Sequence, residues 1–408
     1  MEPLQRARRS LEGLSVGDAL GSLATVGDRG EPAGPWPFTD DTAMALALVE
    51  ALEERGSIDP DDVFRRFARS YEAQPHRGYG MGMMLLFDQV RQGTPRAQAA
   101  GELFGEGSFG NGAAMRVGPL GAYFADDYEQ VVQQARASAL ATHAHPEGIA
   151  GAIAIAVAAA AAVRGEPDLI AKVLEYTPPG PTRQGIERAR LPWTSPQHAA
   201  RELGNGQQVT SQDTVPFCLW CISNYRHSYV ECFWATLAGQ GDRDTNCAIT
   251  GSVVALMTSD LPPEWVAARE PLSARTPRDI ARQWAAAYNR HDARAAAALY
   301  DAQVKNFQLP WGKIVEGHEA MRQTYVRIFA AFPDIQVDIL ELLEDGPRAV
   351  VEWRFRGTML GEFAGHPPNQ RPFDMRGCEV FEVRDGKIVS QRGYWDKATM
   401  FSQLQLVP

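Results

Sequence analysis

Two short acidic signatures, Thr39-Asp40-Asp41-Thr42 and Asp242-Arg243-Asp244-Thr245, stand far apart in the chain and share one design. Each sets two aspartates and a threonine directly before a small, apolar stretch of helical character, Ala43–Ala51 after the first and Cys247–Leu256 after the second. Capping a helix needs one such residue, and each start has three. Four carboxylates with neighbouring hydroxyls are hard oxygen ligands of the kind Mg²⁺, Mn²⁺ or Ca²⁺ takes. Two such ions would bring four positive charges for four aspartates to balance. Between the signatures lies Gly107-Ser108-Phe109-Gly110-Asn111-Gly112, followed by the helix-like Ala113-Ala114-Met115-Arg116-Val117. Glycines before a helix start expose backbone N–H groups beside a positive dipole end, which makes an anion cradle. No strand precedes it and the glycine spacing differs, so it is not a dinucleotide fingerprint. Beside carboxylate-held metals it points to a phosphate-bearing substrate. Thr142-His143-Ala144-His145-Pro146 adds two imidazoles before an alanine-rich run.

Helices must position these groups. Leu4, Ala7, Leu11 and Leu14 keep a three-to-four spacing, and Gly13, Gly17 and Gly21 form a small-residue stripe on a neighbouring face. Such a stripe costs helix propensity and lets another backbone approach closely. Further helical patterns run through 61–73, 82–92, 128–141, 148–164 and 227–237, with no strand-like alternation among them. The character changes near Ser259-Asp260-Leu261-Pro262-Pro263, and the irregular stretch to Pro277 predicts a domain boundary. Beyond it the pattern gives helices over 277–288, 292–301 and 318–332. Alternating strands follow over 335–343, 348–359, 370–383 and 387–396, with turns at Asp345-Gly346 and Asp385-Gly386. Helices followed by a sheet is an α+β order.

The chain has 408 residues, 45% hydrophobic and 22% charged, enough for two or three cored domains. Its net charge of −10 gives no electrostatic basis for nucleic-acid or anionic-membrane partners. The N-terminal residues carry no signal-peptide core, and Ile149–Val163 reads as a buried helix shorter than a bilayer span requires. A cytoplasmic location is the expectation. Five cysteines (Cys218, Cys221, Cys232, Cys247, Cys378) are too few for a disulfide framework. Cys218-Leu219-Trp220-Cys221 has zinc-ligand spacing, but its apolar neighbours favour reduced cysteines facing a core.

Gly17-Asp18-Ala19-Leu20-Gly21, the Thr-Asp-Asp-Thr run, Gly107–Gly121 with its Gly-Asn-Gly-Ala-Ala-Met-Arg-Val core, Thr142-His143 and Gly241-Asp242-Arg243-Asp244-Thr245 occur in that order. Together they resemble the ADP-ribosylglycohydrolase family of the dinitrogenase-reductase-activating type, over roughly residues 5–272. The resemblance implies an all-helical domain (1–272) with two Mg²⁺ or Mn²⁺ ions in a cleft and hydrolysis of a glycosidic bond to the ribose of ADP-ribose. It places metal ligands at Thr39, Asp40, Asp41, Asp242, Asp244 and Thr245. The diphosphate and ribose loop falls at Ser108, Phe109, Gly110, Asn111 and Gly112, and a cleft histidine at His143. Asp242, with Asp41, is the expected catalytic carboxylate, and an ADP-ribosylated protein or small molecule the expected partner. Arg243 stands where relatives often have a threonine and sets a cation beside the leaving group or phosphates. Relatives also commonly carry a glutamate soon after the Gly-Asp-Ala-Leu-Gly motif. Here Ser22–Asp28 has none, and Asp28 and Glu31 are the nearest stand-ins. That gap favours a non-hydrolytic ADP-ribose or nucleotide binder as the competing reading; the intact acidic signatures oppose it.

Residues 276–408 resemble the SnoaL-like branch of the NTF2-like fold. The resemblance rests on Trp284–Asp292, the Ile314–Ala320 turn and Phe381–Ile388. It implies an α+β cone, a curved antiparallel sheet folded round a pocket by three helices, often dimerising through the sheet face. Ligand binding, dimerisation, or a cyclase or isomerase activity of its own are the functions it admits. His366, Asp374, Tyr394, Trp395 and Asp396 are candidate pocket residues, with Asp396 and His366 as a proton-transfer pair. His291-Asp292 reads as a turn with Asp292 as cap.

Overall fold

Gly13, Gly17 and Gly21 line one face of the Pro3–Leu23 helix, and that face lies against the Arg243–Val254 helix, backbone to backbone. A Cβ on Gly17 would stand 2.1 Å from the Cys247 carbonyl oxygen, and one on Gly13 2.4 Å from that of Gly251. Only glycine permits such an approach. Ser10 Oγ donates to the Ser252 carbonyl at 2.7 Å, and Tyr229 donates its hydroxyl to the Gly13 carbonyl at 2.6 Å. The stripe therefore fixes the register of two helices, one carrying Asp18 and the other Asp244.

The computed structural model describes residues 1–25, 29–272, 276–384 and 386–406. The chain divides into two compact units, Met1–Glu270 and Pro271–Pro408. Among the described residues every regular element of the first unit is helical. The five further helices expected from periodicity lie at Pro60–Ala73, Met81–Arg91, Tyr128–Leu140, Pro146–Arg164 and Tyr229–Ala238. Asp59, Asp127, His145 and Ser228 cap four of them with side-chain acceptors. Three eight-residue helices, Leu169–Tyr176, Pro181–Arg188 and Pro196–Leu203, are not visible in the periodicity. Two begin on a proline, which suits the first helical position yet reads as a breaker in sequence.

The alanine-rich Pro146–Arg164 helix is, by length and composition, long and apolar enough to cross a membrane, contrary to the expectation from sequence. It is instead the centre of the first unit, with every residue from Glu147 to Ala162 buried. Cys218, Cys221, Cys232 and Cys247 are buried free thiols. Cys218 Sγ contacts Asn246 Oδ1 at 3.4 Å, and no cysteine joins a metal-ligand cluster among the described residues.

The second unit is a six-stranded sheet in the order β2-β1-β6-β5-β4-β3. Its strands are β1 Tyr300–Gln308, β2 Lys313–Glu316, β3 Gln336–Asp345, β4 Arg348–Thr358, β5 Pro372–Arg384 and β6 Lys387–Trp395. The four later strands match the alternation. β1 and β2 do not appear in it, and the β1–β6 pair is parallel, so the sheet is mixed rather than wholly antiparallel. The helix expected to run to Asp301 ends at Ala297, and the chain turns to strand at Tyr300. The buried positions Tyr300, Val304 and Asn306 keep the two-residue period, but Ala302 is exposed and an asparagine takes an inward position, so the apolar alternation is interrupted. Helices Pro277–Asn289 and His318–Ala331 bury Trp284, Tyr288 and Tyr325 with Phe355 and Phe381 of the sheet.

Candidate functional site

Asp18, fully buried, organises the start of the Asp40–Arg55 helix. Its carboxylate accepts from Thr39 N at 3.1 and 3.0 Å, from Thr39 Oγ1 at 2.8 Å, from Thr42 N at 3.1 Å and from Thr42 Oγ1 at 2.5 Å. Those four donors use the whole capacity of an ionised carboxylate. Asp18 thus anchors the threonines, and they aim Asp40 and Asp41 outward from the helix start. Across from them the glycine-stripe packing delivers Asp244. Oxygen atoms of Asp18, Asp41 and Asp244 all lie within 4.8 Å of one another.

Asp41 carries a buried, unsatisfied oxygen. Its Oδ2 lies 3.0 Å from Thr39 Oγ1, while its buried Oδ1 has no hydrogen-bond partner. An unpaired buried carboxylate oxygen is costly, and no lysine or arginine bonds any of the five aspartates among the described residues. Burial, followed by repulsion from Asp18 and Asp244, pushes Asp40 up to about 8 and raises Asp41 well above the carboxylate range. Burial raises Asp18 to about 6 against its threonine donors. It raises Asp242 to about 7, assisted by Asp244 and opposed by Asn111 and Thr245. The residues present fit a divalent cation: crowded hard oxygens, one of them unpartnered, whose affinity for protons is raised by one another's charge.

The linkage has a definite sign. Carboxyls raised in the folded state stabilise it fully below their unfolded values near 4, and that contribution is lost as pH rises through about 6 to 8. Chelator-treated protein should therefore melt progressively lower between about pH 5 and pH 8, and added Mg²⁺ or Mn²⁺ should restore the melting temperature at the upper end. Thermal melts along that series check it; a flat profile without metal would contradict the clustered geometry.

The cluster opens on a cavity of about 370 Å³ lined also by Ser108–Gly112, Arg116, Thr142 and His143. Gly110 N donates to Ser108 Oγ at 3.2 Å and Asn111 N to the Val209 carbonyl at 3.1 Å, while Phe109 and Gly110 carbonyls accept from Ser211. Part of the loop's donor capacity is thus spent on the 209–211 segment, and the helix after it, Gly112–Met115, is only one turn. The cradle is narrower than the sequence implied. Asn111 instead orients an acid, since its Nδ2 donates to Asp242 Oδ2 at 2.8 Å and lies 3.1 Å from Thr214 Oγ1.

His143 is buried, and burial with the neighbouring Arg116 lowers it to about 3, so the ring is neutral. Arg116 Nη2 donates to Thr142 Oγ1 at 2.9 Å, and the Thr142 hydroxyl lies 2.7 Å from His143 Nδ1. The Thr142 hydroxyl can accept from Arg116 and still donate to Nδ1, and in that tautomer the ring proton sits on Nε2. Nε2 sits against the loop: a Cβ on Gly110 or Gly112 would stand 3.3 or 3.2 Å from it.

The structure separates the other sequence candidates. Asp40, Asp41, Asp242, Asp244 and Thr245 line the cavity, whereas Thr39 does not and works through Asp18 and Asp41. His145 caps the alanine-rich helix by accepting from Glu147 N, with its ring edge-on to Phe109. Arg243 turns away and donates to the Ala24 carbonyl at 2.7 Å, so it lies outside the cavity lining. Glu31 accepts from Trp265 Nε1 and is exposed, and Asp28 lies outside the described residues. Asp18 and Arg116 stand within the sequence motifs, yet their residue types alone assign neither a role. The signal for Asp18 was an acid set within a stripe of small residues, where only a buried function would keep it.

In the second unit, Asp374 pairs with Arg354 on an exposed strand face, and Asp396 caps the Lys397–Gln403 helix through Ala398 N. His366 closes a turn with Phe363, Tyr394 is exposed, and neither lines the unit's cavity. The expected Asp396–His366 pair is absent: each is bonded elsewhere because both sit at chain turns rather than at inward strand positions. His291 contacts the Ile335 carbonyl through Nε2, and Asp292 caps its helix.

A family model for ADP-ribosylglycohydrolase matches residues 1–303, and one for SnoaL-like polyketide cyclase matches residues 278–404. ADP-ribosylhydrolase ARH3 of Gallus gallus is 34% identical over 193 residues, which is 40% of this chain and 52% of that protein. Its Homo sapiens counterpart is 35% identical over 187 residues, 40% of this chain and 51% of that protein. The chain thus spans about half the length of these relatives. The ADP-ribosyl-[dinitrogen reductase] glycohydrolase of Rhodospirillum rubrum is 26% identical over 309 residues, 68% of this chain and 94% of that protein. A solved structure of an ADP-ribosylglycohydrolase-related protein complex aligns with a TM-score of 0.53 at 26% identity, over 66% of this chain and 93% of its own.

Proposed function

The chain belongs to the ADP-ribosylglycohydrolase family, and on that premise we propose that its helical unit is a divalent-metal-dependent hydrolase. It cleaves the glycosidic bond between the ribose of ADP-ribose and a protein side chain or small acceptor. The observation that carries this reading is the unpartnered Asp41 Oδ1, on a residue clustered with Asp244, both lining a cavity that also holds the glycine loop and His143. Two Mg²⁺ or Mn²⁺ ions are the proposed complement, held by Asp41 and Asp244 with Asp40, Asp242 and Thr245 alongside. When bound, such ions supply fixed positive charge for ribose hydroxyls and lower the pKa of water.

The chain's own residues do the rest. Asp18 holds Thr39 and Thr42, which fixes the direction of Asp40 and Asp41. Asn111 fixes Asp242, whose raised affinity for protons suits it to take one near neutral pH. In the proposed step water adds to the anomeric carbon and the bond to the acceptor breaks, with its electron pair leaving on the acceptor. Asp242 takes the water's proton. Positive charge building at the anomeric carbon faces Asp41 and Asp242, which disperse it. His143 stands beside the loop as a neutral ring, with Nε2 turned to Gly110 and Gly112.

A second reading has one observation in its favour. Ser22–Thr25 carries no glutamate and Glu31 is committed to Trp265, so a carboxylate commonly present in relatives is not supplied by these residues. On that reading the unit binds ADP-ribose without turning over. Incubating the protein with ADP-ribosylated arginine, serine and nucleotide, with and without EDTA, separates the two. EDTA-sensitive release of ADP-ribose from one of them is the expected result. Retention of ADP-ribose without release would establish the binder.

A further inference from the structure

The Asp40–Arg55 helix is anchored a second time, apart from Asp18. The backbone N–H of Asp40, at the first helical position, donates to the Arg77 carbonyl at 2.8 Å. Phe38, two residues earlier, is held by side chains. Its N–H donates to Glu270 Oε1 at 2.7 Å, and its carbonyl accepts from Arg77 Nη1 at 2.7 Å. Arg77 Nη1 also donates to Glu270 Oε1, and Nη2 lies 3.4 Å from Glu270 Oε2. The guanidinium stands 3.9 Å from the centroid of the Phe38 ring, and Arg77 Nε donates to Gln74 Oε1 at 2.7 Å. The links close a ring. Glu270 holds Phe38 and Arg77, and Arg77 holds Phe38 by its side chain and Asp40 by its backbone.

Glu270 meets Phe38 across 232 positions of sequence, and the backbone brings it there. Trp36 N donates to the Ala268 carbonyl at 2.7 Å, and Glu270 N donates to the Trp36 carbonyl at 2.9 Å, which makes a parallel bridge of Trp36 and Arg269. Trp36 and Phe38 are buried, and the side chains of Arg77 and Glu270 are 14% and 26% exposed. A charge-assisted pair shielded to this degree and shared with one peptide is firmer than an exposed ion pair. Glu270 is also the last residue of the first unit, so the end of that unit is tied to the start of the acidic helix. On the other side of Arg77 the chain continues through Gly78 at a φ of +90°, where a Cβ would stand 3.6 Å from Asp40 Oδ1. The segment that carries the guanidinium thus passes directly beside the Asp40 carboxylate, and Gly78 and Asp40 both line the cavity.

We propose that Arg77 and Glu270 are positioning residues for the metal centre: their ion pair sets where Asp40 stands, and so how tightly the carboxylate cluster holds a divalent cation. The inference rests on the metal-dependent reading of the first unit. Neither side chain lines the cavity, so each acts through Phe38 and Asp40 rather than on ion or substrate. Carboxylates that repel one another must be gathered by groups outside the cluster, and such outer partners orient the ligands and tune their affinity. Asp18 supplies one anchor through Thr39 and Thr42. The Arg77–Glu270 pair supplies the other, through the residue before the helix cap and the first residue after it.

Titration of the full chain with Mn²⁺, with the free ion followed by electron paramagnetic resonance well below the melting temperature, tests the proposal without turnover. Glu270→Ala should weaken Mn²⁺ binding by about 10- to 100-fold, the usual cost of losing an outer partner of a metal ligand. Glu270→Gln should recover part of that loss, because its carbonyl oxygen can still accept from Phe38 N. Asp126→Ala is the control. It breaks the Arg6–Asp126 pair, neither member of which lines the cavity, and should lower the melting temperature while leaving Mn²⁺ affinity as in the native protein. A purely structural pair predicts that same behaviour for Glu270→Ala, and native affinity in a less stable Glu270→Ala would overturn the proposal. Equal weakening in Asp126→Ala would overturn it as well. If Glu270→Ala does not fold, Arg77→Met takes its place, with weakened Mn²⁺ binding in support and native affinity against. Native protein that binds no Mn²⁺ would overturn the proposal together with the metal-dependent reading, whereas native binding that the variants leave unchanged overturns the proposal alone.

Discussion

Asp244→Ala is expected to lower metal-dependent release of ADP-ribose by at least about a thousandfold while raising the melting temperature of the metal-free protein. Asp244 is one of the three carboxylates whose oxygens gather within 4.8 Å, and it raises Asp18, Asp40, Asp41 and Asp242 by repulsion. Groups that only orient a ligand typically cost 10- to 100-fold in metal affinity or activity when lost, so a direct ligand lies beyond that range. Asp18→Asn supplies the comparison. Asp18 is saturated by Thr39 and Thr42, and its replacement should cost the smaller, roughly 10- to 100-fold, amount. Removing charge from the cluster without metal relieves repulsion, and a gain of about 2–4 °C per kcal/mol is the scale for a unit of this size. Rates with added metal and melts with chelator, on the same two variants, check both signs. A higher metal-free melting temperature with unchanged turnover would remove Asp244 from the ligand set.

The second large effect is structural. Gly17→Ala places a Cβ 2.1 Å from the Cys247 carbonyl oxygen and 2.7 Å from its carbon, both backbone atoms of a buried helix. Neither helix yields without moving its neighbours, so the cost belongs at or beyond the top of the usual overpacking range, about 3 kcal/mol. At about 2–4 °C per kcal/mol this is a loss of roughly 6–12 °C. Separating the two helices also separates Asp18 from Asp244, and a misplacement of about 1 Å can cost 100-fold in rate. Gly101→Ala is the matched control. Gly101 lies in the Arg96–Glu102 helix, and a methyl group added there would meet no atom within 4 Å, so alanine should be neutral or stabilising by about 0.5–1 kcal/mol. Calorimetry on both variants checks the contrast; equal effects would refute close backbone packing as the cause.

The sequence made the site legible wherever a residue's chemistry was out of keeping with its surroundings. Clustered acids at two helix starts marked Asp40, Asp41, Asp242, Asp244 and Thr245, and glycines at helical spacing marked a close backbone contact. It could not show which acids face the cavity and which hold the others in place. Asp18 and Asp41 are both buried aspartates, and only the hydrogen bonds separate a saturated carboxylate from one with an unpartnered oxygen. Nor could it show that Arg243 turns to Ala24, since side-chain direction at a helix start depends on what packs above it. In the second unit the later strands followed their alternation. β1 did not, because its Ala302 is exposed and an asparagine, Asn306, takes an inward place. His366 and Asp396 stood out by residue type, though both lie at turns.

The most direct measurement is the initial rate of ADP-ribose release after metal is stripped with chelator and then returned. The substrate is whichever ADP-ribosylated acceptor the incubation series selects. Stripping is expected to stop release, Mg²⁺ or Mn²⁺ to restore it in native protein, and neither ion to restore it in Asp244→Ala. Release that continues at full rate in the stripped protein would contradict a metal-dependent hydrolase.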